Sequence, residues 1–420
     1  QPMANEDGSV HVVFNGELYN WPEVMPQLAA RGHRFRGRSD TEMLLHLWEE
    51  KQEQLLGDLR GMFAFALHDS ARRLLFLARD RVGKKPLYWH DDGHRIVFAS
   101  ELKALLADPS VPRDVDPHAI ADYLTYQYVP SPGSILAGVN KLPAGHFLTC
   151  DARGPRVQRY WELPFQTDSN VSEAEAVTGL RERLTDAVKV RLMSDVPLGA
   201  FLSGGIDSSA VVALMAQVSS SRVKTFSIGF EDADFSELEH ARRVAQHLGT
   251  EHHEFVVRPR ALEWMPRLVW GLDEPFADAS AIPTWYVSQL AREHVTVALN
   301  GDGGDESFAG YDRYVANAYA QQLRFMAPVL GSDVFRRVLD ALPHGATSAS
   351  LRWRLKRFVA QLSRSPEARN AAWLAQFDPE AKAMLYRSAF RAQTGLRDAE
   401  IAERLAAGVA NDAAATADTP

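Results

Sequence analysis

The chain has 420 residues, of which 46% are hydrophobic and 24% charged. That is ordinary globular composition, enough for two or three domains at roughly 150 residues each, and it excludes intrinsic disorder, collagen-like repeats and coiled-coil rods for the chain as a whole. Lys plus Arg is 46 and Asp plus Glu 54, a net charge of −8, which argues against a general basic surface for nucleic acid. The single cysteine, Cys150, rules out an intramolecular disulfide and fits a reducing, cytoplasmic compartment. No apolar run approaches the ~18 residues of a membrane helix.

In chain order, residues 10–14 read as a short strand ending in the turn Asn15-Gly16. A helix follows over 22–30, stopped by Gly32. Ser39-Asp40-Thr41-Glu42 opens a second helix with Leu44, Leu45, Leu47 and Trp48 on its apolar face. Runs 61–68 and 74–78 form one hairpin, and 87–89 with 96–99 a second around Asp91-Asp92-Gly93. Residues 151–170 lapse into Pro, Gly, Arg and Ser and read as an interdomain connection. Ser172-x-x-Glu175 is a capping box for a long helix with apolar Val177, Leu180, Leu184, Val188 and Leu192. Short apolar strands at 196–202, 223–228, 254–257 and 295–299 then alternate with helices. This rhythm predicts βαβ units and a parallel sheet, with ligands beyond the carboxyl ends of its strands. After Tyr311 the chain reads as helical and basic. Gln1-Pro2 opens it without an initiator Met, and residues 406–420 are rich in Ala, Asp and Thr, so a fragment missing both ends is expected.

Two loops carry chemistry. Ser203-Gly204-Gly205-Ile206-Asp207-Ser208-Ser209 follows an apolar strand and opens a helix. Its glycines let backbone N–H groups approach an anion, and the helix N-terminus favours phosphate oxygens. Asp207 among phosphates needs a cation between them, which argues for Mg²⁺. No Gly-Lys-Ser/Thr is present, so the loop is not Walker A. Asn300-Gly301-Asp302-Gly303-Gly304-Asp305-Glu306 directly follows another strand. Three carboxylates and three glycines suit a loop that holds Mg²⁺ or positions a reacting carboxyl group, and the spacing fails the EF-hand pattern. The blander readings are a capped Gly turn and an acidic surface turn. His240, His247, His252 and His253 match no metal-ligand spacing and are expected to be surface residues.

Together these loops resemble the ATP-pyrophosphatase domain of glutamine-dependent asparagine synthetases. Thr225-Phe226-Ser227-Ile228-Gly229-Phe230 is similar to the family's second strand, and Asp273-Glu274-Pro275-Phe276-Ala277-Asp278 to its segment near the acyl substrate. Asn15-Gly16-Glu17-Leu18-Tyr19-Asn20 and Arg38-Ser39-Asp40-Thr41-Glu42 resemble the glutamine-binding segments of the N-terminal glutaminase. Residues 77–88 and 99–103 match further blocks of that domain. The resemblance covers nearly everything to about Tyr311.

It implies two domains of α+β and α/β class. Residues 1–160 would be a β-rich, N-terminal-nucleophile-type glutaminase without its first strands. Residues 172–420 would be a parallel-sheet ATP-pyrophosphatase domain without its C-terminal part. Glutamine would be held by Asn15, Gly16, Glu17 and Asp40, with Asp40 on the α-amino group. ATP would be held by Leu202, Ser203, Gly204, Gly205, Asp207, Ser208, Ser209, Ile228, Asn300 and Gly301. Asp207 and Asp305 would take Mg²⁺, and Asp302 would act on the amine or intermediate. Glu42 alone reads as the partner residue of a capping box. The implied reaction is amidation of a carboxylate, aspartate to asparagine through β-aspartyl-AMP, with ammonia from glutamine. Glutamine, aspartate and ATP are the expected partners, a homodimer is allowed, and nucleic acid and membrane are not expected. The family's nucleophile is an N-terminal cysteine. Residue 1 here is Gln, and nothing suggests that Cys150 replaces it, so the chain as given is expected not to hydrolyse glutamine. Asn300, Asp302 and Ser307 stand where Ser, Glu and Leu are commoner. The alternatives are an amidotransferase acting on another carboxylate in cell-envelope or secondary metabolism, and a degenerate, non-enzymatic binding subunit.

Overall fold

The computed structural model describes residues 1–163, 170–230, 236–257, 261–330 and 351–394, with isolated positions between 331 and 350. Residues 164–169, within the expected interdomain connection, and 395–420 lie outside the described residues. The chain packs as two compact units. One comprises residues 1–119 and 129–300, the other residues 120–128 and 301 onward.

In the first unit, β1 (Met3–Ala4), β2 (Val10–Leu18), β3 (Gly61–Asp69), β4 (Leu74–Arg79), β8 (His146–Asp151) and β9 (Gly154–Arg159) form an antiparallel six-stranded sheet in that order. Alternation along β3 decides what covers it. Phe63, Phe65 and Leu67 face α1 (Trp21–Ala30) and α2 (Asp40–Lys51), packing with Leu28, Met43, Leu44 and Trp48. Ala64 and Ala66 face the other way, towards Leu87, Leu142 and Leu148. On that side lies a three-stranded sheet of β5 (Tyr88–Asp91), β6 (Ile96–Ala99) and β7 (Val139–Lys141), with α3 (Leu102–Leu105) following β6. Two expectations need correction here. Asn15-Gly16 is no turn, because β2 runs straight through it, with Asn15 opposite Ala64 and Gly16 opposite Phe63. A Cβ on Gly16 would lie 2.2 Å from the Met62 carbonyl oxygen, so glycine serves close strand approach. Residues 154–159, read as part of the connection, are instead the edge strand β9. Its sequence is too polar for the alternation signal, and pairing with β8 makes it a strand.

A parallel sheet of order β12 (Glu251–Val257), β11 (Lys224–Phe230), β10 (Leu198–Phe201), β13 (Val297–Leu299) follows in the same unit. Along the chain, α4 (Pro117–Tyr126) and α5 (Glu173–Arg191) precede this sheet. The capping box of α5 is present, with Ser172 Oγ accepting the Glu175 N–H and the Glu175 carboxylate accepting the Ser172 N–H. Its apolar face is only partly used. Val188 is buried against α6 (Ile206–Val218), while Val177 and Leu180 remain exposed. Helices α6 and α7 (Leu238–Leu248) cover one face of the sheet through Val212, Met215, Ala241 and Ala245. After α8 (Ala261–Leu272), α9 (Ala281–Ala291) covers the other face through Val287 and Ala291 on Phe226 and Val295. Strand β10 lies between β11 and β13, so chain direction across the sheet reverses there. That is the topological switch point where such sheets bind ligands.

The described part of the second unit is helical. Its α10 (Gly304–Phe308) and α11 (Asp312–Gln322) are followed by helices Leu351–Ala360, Pro366–Leu374, Pro379–Leu385 and Ser388–Thr394. Arg369 is fully buried, its guanidinium donating to the main-chain oxygens of Asn317 and Arg364 and to Asn317 Oδ1 at 2.8 Å. Lys382 donates to the Ala121 carbonyl at 2.8 Å and to Thr125 Oγ1.

Candidate active site

The loop after β10 is built around Gly204. Its φ is +85°, and a Cβ there would lie 2.5 Å from the Ala241 N at the start of α7. Only glycine lets the loop press so close to that helix. The hydroxyls complete the turn. Ser208 Oγ accepts the Ser203 N–H at 3.3 Å and lies 2.9 Å from Ser203 Oγ, which in turn accepts the Gly205 N–H at 3.2 Å. Helix α6 then starts at Ile206 with Gly205 as N-cap and no side chain bonded to its first amides. Thirteen aligned peptides thus end in uncapped N–H groups beside a Gly-rich turn, which favours an anion. Ser209 Oγ is buried without a hydrogen-bond partner. Ser203 and Ser208 therefore shape the loop, whereas Ser209 and the amides are the donors with capacity to spare.

A cavity of about 190 Å³ opens beside this loop, lined by Leu202, Ser203, Phe226, Ile228, Pro283 and Thr284 among others. Leu202 donates its N–H to the Phe226 carbonyl at 2.9 Å, and its own carbonyl accepts Ser227 Oγ. The cavity has an apolar wall and a polar end at the loop, as a nucleoside carrying phosphates requires. Leu202, Ser203 and Ile228 are thus brought together. Asn300 follows β13, which pairs with β10, at the same carboxyl end of the sheet. Glu237, Pro283, Thr284 and Val287 also line the cavity. No motif singled them out, because they come from α9 and from beside α7, not from the strand ends.

Gly301, Asp302 and Asp305 belong to the second unit. Gly303, at φ +93°, turns the chain into α10. Gly310 has no room for a Cβ, which would overlap Asp305 Oδ1. Glu306 accepts the Tyr311 hydroxyl at 2.6 Å. That bond, followed by burial, pushes the Tyr311 phenol up to about 12, while the same bond holds the Glu306 carboxyl down. Glu306 is therefore occupied within its own loop, and Asp302 is exposed.

In the N-terminal sandwich, a cavity of about 250 Å³ lies between the two sheets, lined by Asn15, Ala64, Ala66, Leu87, Phe98 and Ser100 among others. The small Ala64 and Ala66 side chains leave this room. Asn15 Nδ2 donates to Ser100 Oγ at 3.2 Å. Of the four expected glutamine ligands only Asn15 lines this cavity. Gly16 is spent on strand packing. Asp40 Oδ2 accepts the Leu18 N–H at 3.0 Å. Glu17 lies near Asp40 and Asp195, and partial burial followed by those two charges raises its carboxyl pKa. Glu42 makes no capping box. Ser39 Oγ accepts the Thr41 N–H, while the Glu42 carboxylate accepts the N–H groups of Arg36 and Gly37 at 2.6 and 2.9 Å and fixes the incoming loop. Buried Asp80 works similarly, accepting the N–H groups of Phe63, Val82, Lys84 and Lys85. Asp80 thus fixes the turn that follows β4. Cys150 sits in β8 opposite Leu75, its thiol pushed up by burial and then by Asp91 and Asp151, the reverse of what a nucleophile needs.

Two of the four histidines correct the expectation of a surface position. His240 and His247 are exposed, but His252 and His253 are half-buried in β12. His252 Nδ1 lies 2.9 Å from Thr225 Oγ1, and His253 stacks on Phe226 and His294. Within the segment 273–278, Glu274 is turned onto the small N-terminal sheet and held by Lys141 and Tyr88. Among the described residues one cluster has metal-ligand spacing, His33, His46 and Glu49. Its Nδ1 atoms lie 3.3 and 3.0 Å from Glu49 Oε2, and His33 Nε2 lies 3.0 Å from Glu50, so hydrogen bonding accounts for the cluster. No described helix is long and apolar enough to cross a membrane.

The architecture defines a class, a β-rich amidotransferase-type sandwich followed by a parallel-sheet α/β domain. Two family models match in that order, a glutamine amidotransferase domain over residues 1–161 and asparagine synthase over residues 179–414. The chain belongs to the asparagine synthase family. It is 39% identical over 316 residues to asparagine synthetase (glutamine-hydrolyzing) 1 of Bacillus subtilis, covering 75% of this chain and 50% of that protein. It is 39% identical over 306 residues to the putative asparagine synthetase (glutamine-hydrolyzing) 2 of Methanocaldococcus jannaschii, covering 71% and 58%. It is 33% identical over 341 residues to amidase chyE of Penicillium rubens, covering 76% and 50%. The chain therefore spans about half the length of the relatives it matches.

Proposed function

We propose that the protein carrying this chain is a ligase that amidates a carboxylate, using ATP for activation and glutamine as the ammonia source. L-aspartate is the favoured acceptor, through β-aspartyl-AMP, with AMP and pyrophosphate released. The observation that carries this reading is the β10–α6 loop, where an uncapped helix N-terminus, a glycine pressed against α7 and an adjoining apolar cavity suit a nucleoside polyphosphate. A carboxylate is a poor electrophile until its oxygen bears a good leaving group, and adenylation supplies one.

In this reading Leu202, Ile228 and Gly301 are assigned to the nucleoside. The Ser203–Ser209 loop holds phosphate oxygens through backbone N–H groups and the Ser209 hydroxyl. That places positive dipole where charge develops on departing pyrophosphate. Asp207 lies in the first turn of α6, where a carboxylate facing phosphates calls for a cation. We assign Mg²⁺ to Asp207 and Asp305, where it would neutralise phosphate charge. Asp302 is assigned to the acyl group or the incoming amine. Asn15, Gly16, Glu17 and Asp40 are assigned to glutamine, Gly16 through its backbone. Both domains as delimited, 1–160 and 172–420, take part.

Substrate-dependent ATP–pyrophosphate exchange by the full-length protein tests this. Exchange with aspartate alone supports the favoured acceptor, and exchange with none of the acids overturns the reading. A second reading, another acceptor carboxylate, is favoured by the resemblance to a relative named an amidase and by Asp302 and Ser307. It predicts exchange with a different acid only.

A further inference from the structure

Two consecutive acidic residues in the loop ahead of α9, Asp273 and Glu274, reach onto the small N-terminal sheet. Glu274 Oε1 accepts the Ile135 N–H at 2.8 Å, while Oε2 accepts the Tyr88 hydroxyl at 3.1 Å and lies 2.5 Å from Lys141 Nζ. Tyr88 and Lys141 are direct cross-strand neighbours in β5 and β7, so both side chains leave the sheet on one face. Asp273 Oδ1 meets Lys103 Nζ at 2.8 Å, and the same ammonium donates to the Trp270 carbonyl. Asp273 has φ +64°, and the Glu274 N–H closes a tight turn on the Leu272 carbonyl at 2.7 Å. That turn splays the two carboxylates towards different cations. Their side chains are only 9% and 10% exposed.

Burying charge this deeply is a poor way to gain stability, since desolvation offsets much of the attraction. Its placement suggests another use. Leu87 and Ser100 line the cavity between the sheets, and each adjoins the anchor in sequence, Leu87 beside Tyr88 and Ser100 just before Lys103. On the other side, the anchor loop runs into α9, whose Pro283, Thr284 and Val287 line the nucleotide cavity. One short loop thus connects a wall of each cavity. Burial and the Glu274 charge push the Tyr88 phenol up, so it stays a hydrogen-bond donor across the working pH range.

We propose that Asp273 and Glu274 are positioning residues that couple occupancy of the nucleotide cavity to the geometry of the cavity in the N-terminal sandwich. The inference rests on the nucleotide-binding reading above. Such coupling is reciprocal, so a ligand in either cavity tightens the other. Neither carboxylate touches a ligand. They act through β5 and α3 on one side and α9 on the other.

Hydrogen exchange read by mass spectrometry on the whole chain tests this, with and without a non-hydrolysable ATP analogue and Mg²⁺. The Ile135 amide is a direct reporter, because its acceptor is Glu274. In the wild type the analogue should slow exchange in residues 201–212 and also at Ile135 and across residues 88–105. In Glu274→Gln, residues 201–212 should stay protected while the response at Ile135 disappears and its basal exchange rises roughly tenfold. Asp273→Asn, which leaves the Glu274 cluster whole, should lose part of the response and guards against misfolding of the first variant. A merely structural fastener would raise basal exchange at Ile135 by the same factor with and without analogue, and that result overturns the proposal. So does protection of 201–212 in the wild type with no change at Ile135. Absence of protection at 201–212 in the wild type overturns the nucleotide reading itself, and the coupling with it.

Discussion

Gly204 shows how one residue can be fixed from both sides. Its positive φ excludes most side chains, and the α7 backbone excludes a Cβ. Gly204→Ala should therefore cost roughly 1–3 kcal/mol and abolish nucleotide binding, read by denaturant unfolding and by titration with an ATP analogue. Asp207→Ala should leave the fold intact, since Asp207 packs nothing in the core, yet lower pyrophosphate release by roughly 10²-fold or more. Wild-type-like release would remove it from the metal site. Asp302 and Asp305 separate chemistry from metal binding. Loss of one acid/base group typically costs ~10²–10⁴-fold. Asp302→Asn should show that loss with ATP affinity little changed, whereas Asp305→Asn should weaken Mg²⁺-dependent ATP binding. Single-turnover rates across Mg²⁺ concentrations in the full-length protein decide, and rescue of Asp302→Asn by excess Mg²⁺ would swap the two roles.

At the scale of elements, β11 and β12 carry a pH dependence. His252 bonds Thr225, its Nε2 lies 3.5 Å from a Glu254 carboxylate oxygen, and burial outweighs that charge and lowers the imidazole pKa. The unfolded imidazole titrates near about 6.5, so below that pH the unfolded chain binds the proton more readily. The stabilisation from His252 is therefore present above about 6.5 and is lost as pH falls through the lower folded value. Urea unfolding at several pH values should show falling stability over that window, and His252→Gln should flatten the fall. For α5 the box at Ser172 and Glu175 was legible because it is local, and Ser172→Ala should cost ~1 kcal/mol. The exposure of Val177 and Leu180 was not legible, since a periodic apolar stripe states a preference and not which neighbour covers it. The same limit explains β9 and the Asn15-Gly16 turn, where pairing partners overrode a polar composition and a local turn signal.

Across the whole molecule, the change from hairpins to alternating strands and helices marks the change from antiparallel sandwich to parallel sheet. The order β12-β11-β10-β13 puts the Ser203–Ser209 loop and Asn300 at neighbouring strand ends, separated by nearly a hundred residues of chain. If the sandwich supplies ammonia from glutamine, Cys150 has no part in it. Cys150→Ala should leave glutamine hydrolysis by the full-length protein unchanged in a glutaminase assay.

What the sequence by itself determined is local. Glycines and serines within seven residues of a strand end specify a tight turn into a helix N-terminus, because backbone conformation and dipole direction are set by near neighbours. The apolar run 61–68 before a polar turn likewise specifies a hairpin strand. What only the tertiary structure decided depends on distant partners. Ala64 and Ala66 hollow a cavity only because a second sheet lies over them. Asp80 and Glu42 prove architectural only once their amide partners are in place. Glu274 leaves the neighbourhood of its own motif to meet a lysine and a tyrosine more than a hundred residues earlier, since a buried carboxylate goes where cation and donors converge.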